Sequence, residues 1–453
     1  MKLRKTISLF GMLLPAFAVL SQSSGQNFTI SPYSNFGLGE VTNANISEAG
    51  YNHHTYSGSY SHSFMNPATL CNLQYTTFDF GLNLKQGLIQ SQDAKRSFYG
   101  GGLSYLNLAF RTVNKSIPVY TDSAGVKKKK KNIPIHWNSS LGIYPVTTIG
   151  YNYTAEDTTP FLTRALHSGK GGINSLQFGN GIGIGKNIAI GYSASYLFGQ
   201  ISDRSVFTAP DSADLMLVDD EKSVYIHGLQ NQLGILYQFQ LDSTYHKFGA
   251  SLKWFSAMAA SRQRFTQVFG YSGGSVSSVD TVLDNSTPYE HFSVPSAYGF
   301  GYNFQWRKKW SIGLDYYHQR WGNYNAFFQQ NQKLANRTDY GITFILNPVD
   351  EKLAGTKRMA IPFRMGARFS NTQNVFTNAG VETNIQEQSV FVGFGIPFVR
   401  RYYNNEVLRS MINFRVDYTT RGTLNNGLVK EQYLVGTITF NLGDIWFQRR
   451  KFD

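Results

Sequence analysis

Four basic side chains fall on the polar positions of stretches in which polar and apolar residues alternate. They are Lys253, Arg364, Arg368 and Arg415. Ammonium and guanidinium groups hold a carboxylate through charge-assisted hydrogen bonds, so these four are candidate ligand-binding residues if the fold gathers them. The alternative is an internal network in which acidic residues at equivalent positions neutralise them. Those acidic residues are Asp79, Asp315 and Asp417.

A polar stretch near the N-terminus, "SEAGYNHHTYSGSYSHSFMNPATLCNL", carries the other candidate groups. His53, His54 and His62 have side chains that ligate metals, but nothing in the stretch fixes their geometry. We therefore predict polar packing and no metal site. Phe64 and Met65 would suit an apolar ligand pocket, which aromatic residues and methionine commonly line. Ordinary packing is the alternative for these two residues.

The tripeptide Asn66-Pro67-Ala68 ends this stretch, just before the first alternating segment. Asn-Pro is a turn signal, so the tripeptide is either a tight turn that leads into a strand or an element that shapes a passage.

No strand candidate carries an isolated Ser and His pair on an apolar face. We accordingly predict no enzymatic activity and no cofactor.

Composition narrows the class of protein. Charged residues make up 15% of the 453 residues, against about 25% in soluble domains. The net charge is +14, but five lysines lie in one run, Lys127–Lys131, and no compact nucleic-acid motif accompanies them. We predict no nucleic-acid partner; the lysine run is a solvated loop or contacts an acidic partner. Cys71 is the single cysteine, which excludes an intramolecular disulfide.

The first 25 residues read as a secretory signal peptide. Lys2, Arg4 and Lys5 precede an apolar core from Ile7 to Leu20, and small polar residues follow. No later window reaches 18 consecutive apolar residues, as a transmembrane helix would need. We expect an exported protein whose membrane contact is made by strands.

Strands are indicated by strict alternation, as in "WSIGLDYYHQRW" at 310–321. Ile312 and Leu314 share one face of such a strand, and Asp315 falls on the other. About 14 segments alternate in this way, each long enough to cross a membrane when tilted. Their cores are 76–86, 99–111, 138–153, 172–184, 187–202, 222–240, 244–269, 292–306, 309–321, 337–348, 357–370, 387–398, 408–421 and 430–442.

The connections alternate between short turns, such as 185–187, and long loops, such as 203–221. Short periplasmic turns with long external loops are typical of outer-membrane barrels. Residues 112–137 break the rule, and we interpret them as an insertion on the periplasmic side. Trp254, Trp306, Trp310, Trp321 and Trp446 would form the interfacial aromatic girdle.

Charges share the polar faces of the alternating segments, and the opposite faces carry almost none. A charge that faces lipid costs roughly 2–4 kcal/mol, so the charge-free faces suit the membrane. The sequence predicts an all-β protein: a 14-stranded antiparallel transmembrane β-barrel over 76–453, with residues 26–75 as an N-terminal plug, or hatch, inside the lumen.

Several motifs resemble those of the FadL/TodX family of outer-membrane transporters for hydrophobic compounds, and "SPYSNFGLGE" at 31–40 and "GTLNNGLVKEQY" at 422–433 resemble its Bacteroidota branch. Asn66-Pro67-Ala68 resembles the "NPA" of that family's hatch. The run "VPSAYGFGYNFQWRKKWSIGLDYYHQRW" resembles its pattern of Pro, Gly-x-Gly, turn, Trp and an Asp-containing strand. The polar segment at 47–64 and the lysine insertion depart from the family pattern.

The resemblance implies location in the outer membrane, in contact with its lipid. It also implies passive uptake of small hydrophobic compounds such as long-chain fatty acids, which would leave sideways through a gap in the wall. The same branch includes PorV, which serves protein secretion. The alternative function is therefore a partner or accessory barrel in secretion or surface assembly, in contact with other envelope proteins.

Overall fold

The computed structural model describes residues 31–35, 38–41, 48–123, 126–157, 163–208, 216–272, 275–307, 309–324, 333–347, 361–378, 380–401 and 407–444. The predicted signal peptide, residues 1–25, lies outside this part of the chain. The strands are β1 (Glu40–Val41), β2 (Thr76–Gln90), β3 (Lys95–Ser123), β4 (Val126–Asp157), β5 (Thr163–Ile184), β6 (Ile188–Thr208), β7 (Met216–Leu241), β8 (Thr244–Ser272), β9 (Ser275–Ser286), β10 (Glu290–His291), β11 (Ala297–Trp306), β12 (Trp310–Gln319), β13 (Arg337–Leu346), β14 (Phe363–Asn378), β15 (Val381–Arg401), β16 (Val407–Gly422) and β17 (Lys430–Asp444).

Two runs of seven strands, β2–β8 and β11–β17, form a closed antiparallel barrel. Each strand pairs with its neighbour in the run, β8 pairs with β11, and β17 pairs with β2 from Asp444↔Thr76 to Lys430↔Gln90. Closure leaves the ring without a free edge at either junction. The predicted 14-stranded barrel is confirmed, and every predicted segment overlaps one of these strands.

The apolar side chains face outward and the polar ones inward, as the alternation predicted. In β12, Leu314 is 48% exposed and Asp315 only 9%. In β7, likewise, Ile235 on the outer face is 54% exposed and Gln232 on the inner face 1%. Apolar outer positions suit the hydrocarbon of a membrane, and the inner positions are free to carry charge.

Most of the long connections are extensions of the strands. β4 and β5 stay paired out to Asp157↔Thr163, and β14 and β15 out to Asn378↔Val381. The predicted insertion at 112–137 likewise continues β3 and β4 as one hairpin to Ser123↔Val126. We call this end of the barrel, with the turns at 185–187 and 242–243, the short-turn end, and the opposite end the long-loop end. The strands of the ring differ in length, from ten residues in β11–β13 to 32 in β4.

Residues 31–35, 38–41 and 48–75, here called the N-terminal segment, lie against the inward faces of the strands. The 3-10 helix Pro67–Asn72 contacts β4, β5, β6 and β7. A second 3-10 helix, Pro32–Asn35, contacts β4. Among the described residues, no helix is both long and apolar enough to span a membrane.

Candidate functional site

Asn66 anchors the predicted hatch motif to the wall. Its side chain accepts a hydrogen bond from the Ala68 N–H at 3.1 Å and donates to the carbonyls of His54 at 2.7 Å and Ile235 at 3.1 Å. The inner face of β7 leaves room for it, because a Cβ at Gly234 would lie 2.0 Å from Asn66 Oδ1. One amide thus links two parts of the N-terminal segment to strand β7.

Pro67 and Ala68 continue the motif as the start of the 3-10 helix. Both are buried. Proline suits this first helical position because its missing N–H would have no partner there. Ala68 approaches β6 so closely that a Cβ at Gly191 would lie 2.2 Å from its backbone nitrogen. The motif therefore begins a buried 3-10 helix that packs against the inner faces of β6 and β7.

Asp315 holds the histidine pair of the N-terminal segment. Its Oδ2 accepts the backbone N–H groups of His53 at 3.0 Å and His54 at 2.9 Å, and its Oδ1 lies 2.8 Å from Nδ1 of His54. The internal network considered in the sequence analysis would offer Asp315 a basic strand residue such as Arg364 as its partner, and this pairing is not formed. Arg364 instead donates to Asn413 at 2.9 Å. A segment remote in sequence supplies the partner that a neighbouring strand was expected to supply.

Arg368 and Arg415 meet at one ring, that of Tyr51. Their guanidinium carbons lie 5.3 and 4.8 Å from the ring centroid, within cation–π range. The Tyr51 hydroxyl donates to Asp417 at 2.7 Å, Arg415 pairs with the same carboxylate at 2.6 Å, and Arg368 pairs with Glu387. Both cations are therefore neutralised by the barrel itself.

Lys253 and Arg364 stand apart from this pair. The half-buried Lys253 ammonium lies 3.9 Å from Sδ of Met65. Arg364 is buried on the short-turn side and lines a polar cavity there. The four cations proposed as a carboxylate site do not converge on one point.

Phe64 belongs to a small aromatic cluster inside the wall. Its ring centroid lies 5.7 Å from Tyr105 and 4.8 Å from Tyr144, and Val146 packs against the same group. His62 touches Phe64 at 5.5 Å, edge to face. Within the ranges given above, no three His, Cys, Asp or Glu side chains gather as metal ligands.

A network of carboxylates surrounds Arg421 and was not predicted from the sequence. The Arg421 guanidinium pairs with Glu40 of β1, Glu387 of β15 and Glu431 of β17, and donates to the Tyr433 hydroxyl at 2.9 Å. All five groups are buried or nearly so. Because Glu40 belongs to the N-terminal segment, this network ties that segment to the strands that close the barrel.

The ladder between β3 and β4 is incomplete. Their pairing runs from Ser123↔Val126 only as far as Leu106↔Ile143. Beyond that point, among the described strands, residues 95–105 of β3 pair with β2 alone, and residues 144–157 of β4 pair with β5. A bulge at Pro145/Thr147 marks the divergence. Proline in a strand interior removes a ladder hydrogen bond, so Pro145 was the one sequence signal of this break.

The N-terminal segment occupies the free edge of β4. Strand β1 pairs with it at Glu40↔Thr148 and Val41↔Thr147. Further along, the Ser31 N–H donates to the Gly150 carbonyl at 2.7 Å, and the Ser34 hydroxyl lies 3.0 Å from the same carbonyl. An inner segment therefore covers the backbone groups that β3 leaves unpaired.

An apolar cluster leads from the long-loop end towards this break. Its members are Leu38, Ile173, Leu197, Ile226, Met258, Ala260, Trp321, Tyr324 and Leu334. Val146, at the bulge of β4, packs against it. Trp321 is 4% exposed, so its predicted place in the lipid-facing girdle is wrong: the chain leaves β12 at Gln319 and turns inward. Trp446 lies outside the described residues.

Comparisons with known proteins agree with this architecture. The chain resembles the Pseudomonas putida toluene transporter TodX with 12% identity and a TM-score of 0.54, over 88% of this chain and 99% of that one. It resembles the Ralstonia pickettii toluene transporter TbuX with 13% identity and a TM-score of 0.54, over 90% and 98%. A Pseudomonas aeruginosa FadL homologue matches with 9% identity and a TM-score of 0.51, over 90% and 99%. No curated protein matches the sequence.

A sequence model of the family described as BamG matches residues 4–119 and 131–453. The two matches leave out residues 120–130, within the hairpin of β3 and β4 that carries most of the lysine run. The match shows that this chain belongs to the BamG family, and its closed ring of 14 strands has the fold of the FadL and TodX barrels.

Proposed function

We propose that the protein is a passive outer-membrane transporter for small hydrophobic compounds, with long-chain fatty acids as one candidate class. The observation that carries this proposal is the incomplete ladder between β3 and β4, because it offers an exit through the side of the wall. An apolar compound that leaves there enters the membrane without crossing a polar lumen.

The apolar cluster supports a route to that exit. It begins at Trp321, Tyr324 and Leu334 near the long-loop end and reaches Val146 at the bulge of β4. Aromatic side chains and methionine commonly line sites for apolar ligands. Phe64 and Tyr144 extend the same apolar lining below Val146.

The N-terminal segment would act as the plug. It is fixed at Asn66 and at the histidine pair, and its first part, residues 31–35 and 38–41, covers the free edge of β4. In this proposal residues 31–35 and 38–41 are the part that moves, since their removal uncovers the break. The ion pair between Glu40 and Arg421 has to open when they leave. The firmly held stretch at 48–73 keeps the lumen closed to water.

A disulfide lock tests the proposal. In a Cys71→Ala background, Val41→Cys and Thr147→Cys would join β1 to β4 at register partners, which lie at a distance that a disulfide can bridge. We expect uptake of a labelled fatty acid to stop under oxidising conditions and to return with reductant. The matched pair Ala367→Cys and Val390→Cys joins β14 to β15 in a continuous ladder and should leave uptake unchanged. Full uptake by the locked protein would refute the side exit.

The alternative, a partner in secretion or surface assembly, stays a prediction. One observation favours it: the outer faces of β8 and β11–β16 form a concavity of about 1140 Å³ where a barrel wall is normally convex. Its lining is largely apolar and aromatic, and includes Phe300, Tyr316 and Tyr340. Purification from native outer membranes tests this role, and recovery of this chain alone would count against it.

A further inference from the structure

A polar cavity of about 750 Å³ lies at the short-turn end, under the N-terminal segment. Its roof is formed by residues 55–61 of that segment, and its walls by the ends of β7, β8, β14 and β16. Serine, asparagine and glutamine side chains make up much of the lining. They include Ser57, Ser61, Asn72, Gln74, Gln238 and Asn441.

The lining of this cavity contains four Lys and Arg side chains but a single carboxylate. The cations are Lys186, Lys247, Arg364 and Arg409, and the carboxylate is Glu48. Glu48 accepts hydrogen bonds from Tyr56 at 2.8 Å and Asn413 at 3.2 Å. Within the described part of the chain, no carboxylate forms an ion pair with any of the four cations. The lumen above differs sharply, because Arg368, Arg415 and Arg421 are each paired with carboxylates there.

The donors of these cations are only partly used. Arg364 is 4% exposed, and neither its Nε nor the buried Nε of Arg409 has a hydrogen-bond partner among the described residues. The Lys247 ammonium donates to the Ser57 carbonyl at 3.1 Å and the Ser57 hydroxyl at 3.0 Å, and both acceptors are uncharged. Glu48 lies close enough to Arg364 to interact with it electrostatically, but one carboxylate balances only one of the three buried or half-buried cations, Lys247, Arg364 and Arg409. A desolvated cation without a counter-charge is costly, so the remaining donors suit an anion supplied from outside the chain.

The spacing of the cations favours an extended ligand. Lys247 on β8 and Arg364 on β14 are separated by four ladder steps, each of about 4.8 Å, or roughly 19 Å along the wall. Arg409 on β16 lies two strands further along. About six residues of an extended peptide span that distance, so such a ligand can meet cations on both sides of the cavity. The amide and hydroxyl lining matches peptide groups, which both donate and accept hydrogen bonds.

We propose that this cavity is a binding site for an acidic peptide segment, which enters from the short-turn end. Its carboxylates pair with Lys186, Lys247, Arg364 and Arg409, and its backbone is held by the serine and amide side chains. The site is independent of the apolar route between β3 and β4, which opens on another part of the wall.

Fluorescence anisotropy of the full chain in nanodiscs tests this site. The probe is a labelled Glu-Ser repeat peptide, and the matched probe is the same peptide with Gln in place of Glu. We expect the acidic probe alone to bind, and its affinity to fall as salt is added, because the contacts are ionic. Equal binding of both probes, or no binding of the acidic one, would overturn the proposal.

Charge-matched variants locate the site. Lys186→Gln with Arg409→Gln should abolish most of the binding, and Lys170→Gln with Lys222→Gln, two exposed lysines at the long-loop end, should not. If the first variant does not fold, a competition experiment on the wild-type protein, with inorganic pyrophosphate against the labelled peptide, still tests the proposal. Complete displacement of the peptide by inorganic pyrophosphate would assign the cavity to small phosphates and refute a peptide site.

Discussion

The imidazole of His54 lies with Nδ1 2.8 Å from Oδ1 of Asp315, and both groups are buried. The other carboxylate oxygen accepts two consecutive backbone N–H groups, at His53 and His54. A single side chain of β12 thus fixes both the backbone and a ring of the N-terminal segment. This segment approaches the wall so closely that a Cβ at Gly249 would lie 2.0 Å from the His54 carbonyl oxygen.

Asp315→Asn should loosen the N-terminal segment while the barrel stays closed. The amide keeps one acceptor oxygen but no negative charge, so the hydrogen bonds to His53 and His54 are no longer charge-assisted, and we expect a cost of about 1–3 kcal/mol. Limited proteolysis should show faster cleavage between residues 48 and 75. The exposed Asp280→Asn serves as the control, and equal cleavage of the two variants would contradict the role of Asp315.

Gly234→Ala should displace the hatch motif. The added methyl group would lie 2.0 Å from Asn66 Oδ1, too close for any contact, so the amide must leave its two carbonyl partners. Gly436→Ala is a matched control, since the nearest atom to its methyl group lies 4.0 Å away. Thermal unfolding in detergent should show a lower midpoint for Gly234→Ala only.

Arg421→Met should be among the most damaging substitutions in the lumen. It leaves Glu40, Glu387 and Glu431 buried without their common cation, and loss of one partner from a buried ionic group costs about 3–5 kcal/mol. Arg164→Met breaks an exposed pair with Glu156, which should cost below about 1 kcal/mol. Denaturant unfolding compares the two. Similar losses would mean that the network does not hold the fold.

Acidification should release the N-terminal segment through its buried histidines. Burial lowers the pKa of His62 from 6.5 to about 3, and burial likewise lowers the pKa of His53 to about 4. Between these values and 6.5 the released segment binds protons that the seated segment does not. The seated state is therefore fully favoured above pH 6.5 and weakens as pH falls, by up to about 1.4 kcal/mol per pH unit for each histidine.

The measurement is the rate of proteolysis of the segment from neutral to mildly acidic pH. His62→Phe places a neutral ring beside Phe64 and should flatten the profile, leaving the smaller dependence that His53 supplies. An unchanged profile in this variant would assign the pH response to other groups.

The ring of strands could be predicted from the sequence because, within each strand, polar residues alternate with apolar ones according to whether they face the lumen or the outside. Alternation in "WSIGLDYYHQRW" requires only local information, and the structure gives Leu314 outside and Asp315 inside. The long-loop connections were less predictable, since nothing in 371–386 says whether a polar stretch continues a ladder or leaves it.

Contacts inside the barrel were beyond such reasoning. Asp315 and His54 are 261 positions apart, and alternation gives the face of a residue but not its partner across the lumen. Trp321 carried an interfacial type of side chain, yet a turn after β12 buried it. Pro145 was the one sequence signal of the break between β3 and β4. The sequence does not say on which side of a strand a proline interrupts the pairing.

The inner position of the N-terminal segment constrains the order in which this protein assembles. The segment is made first, but it touches strands from β4 to β17, and the ring closes by the pairing of β17, the last strand, with β2. Residues 48–73 interlock with glycine-lined recesses of the wall, such as those at Gly234 and Gly249, which a finished ring would shield. A segment that is seated before β17 pairs with β2 reaches these recesses without passing through a finished lumen, so early seating would let it serve as a template for the strands.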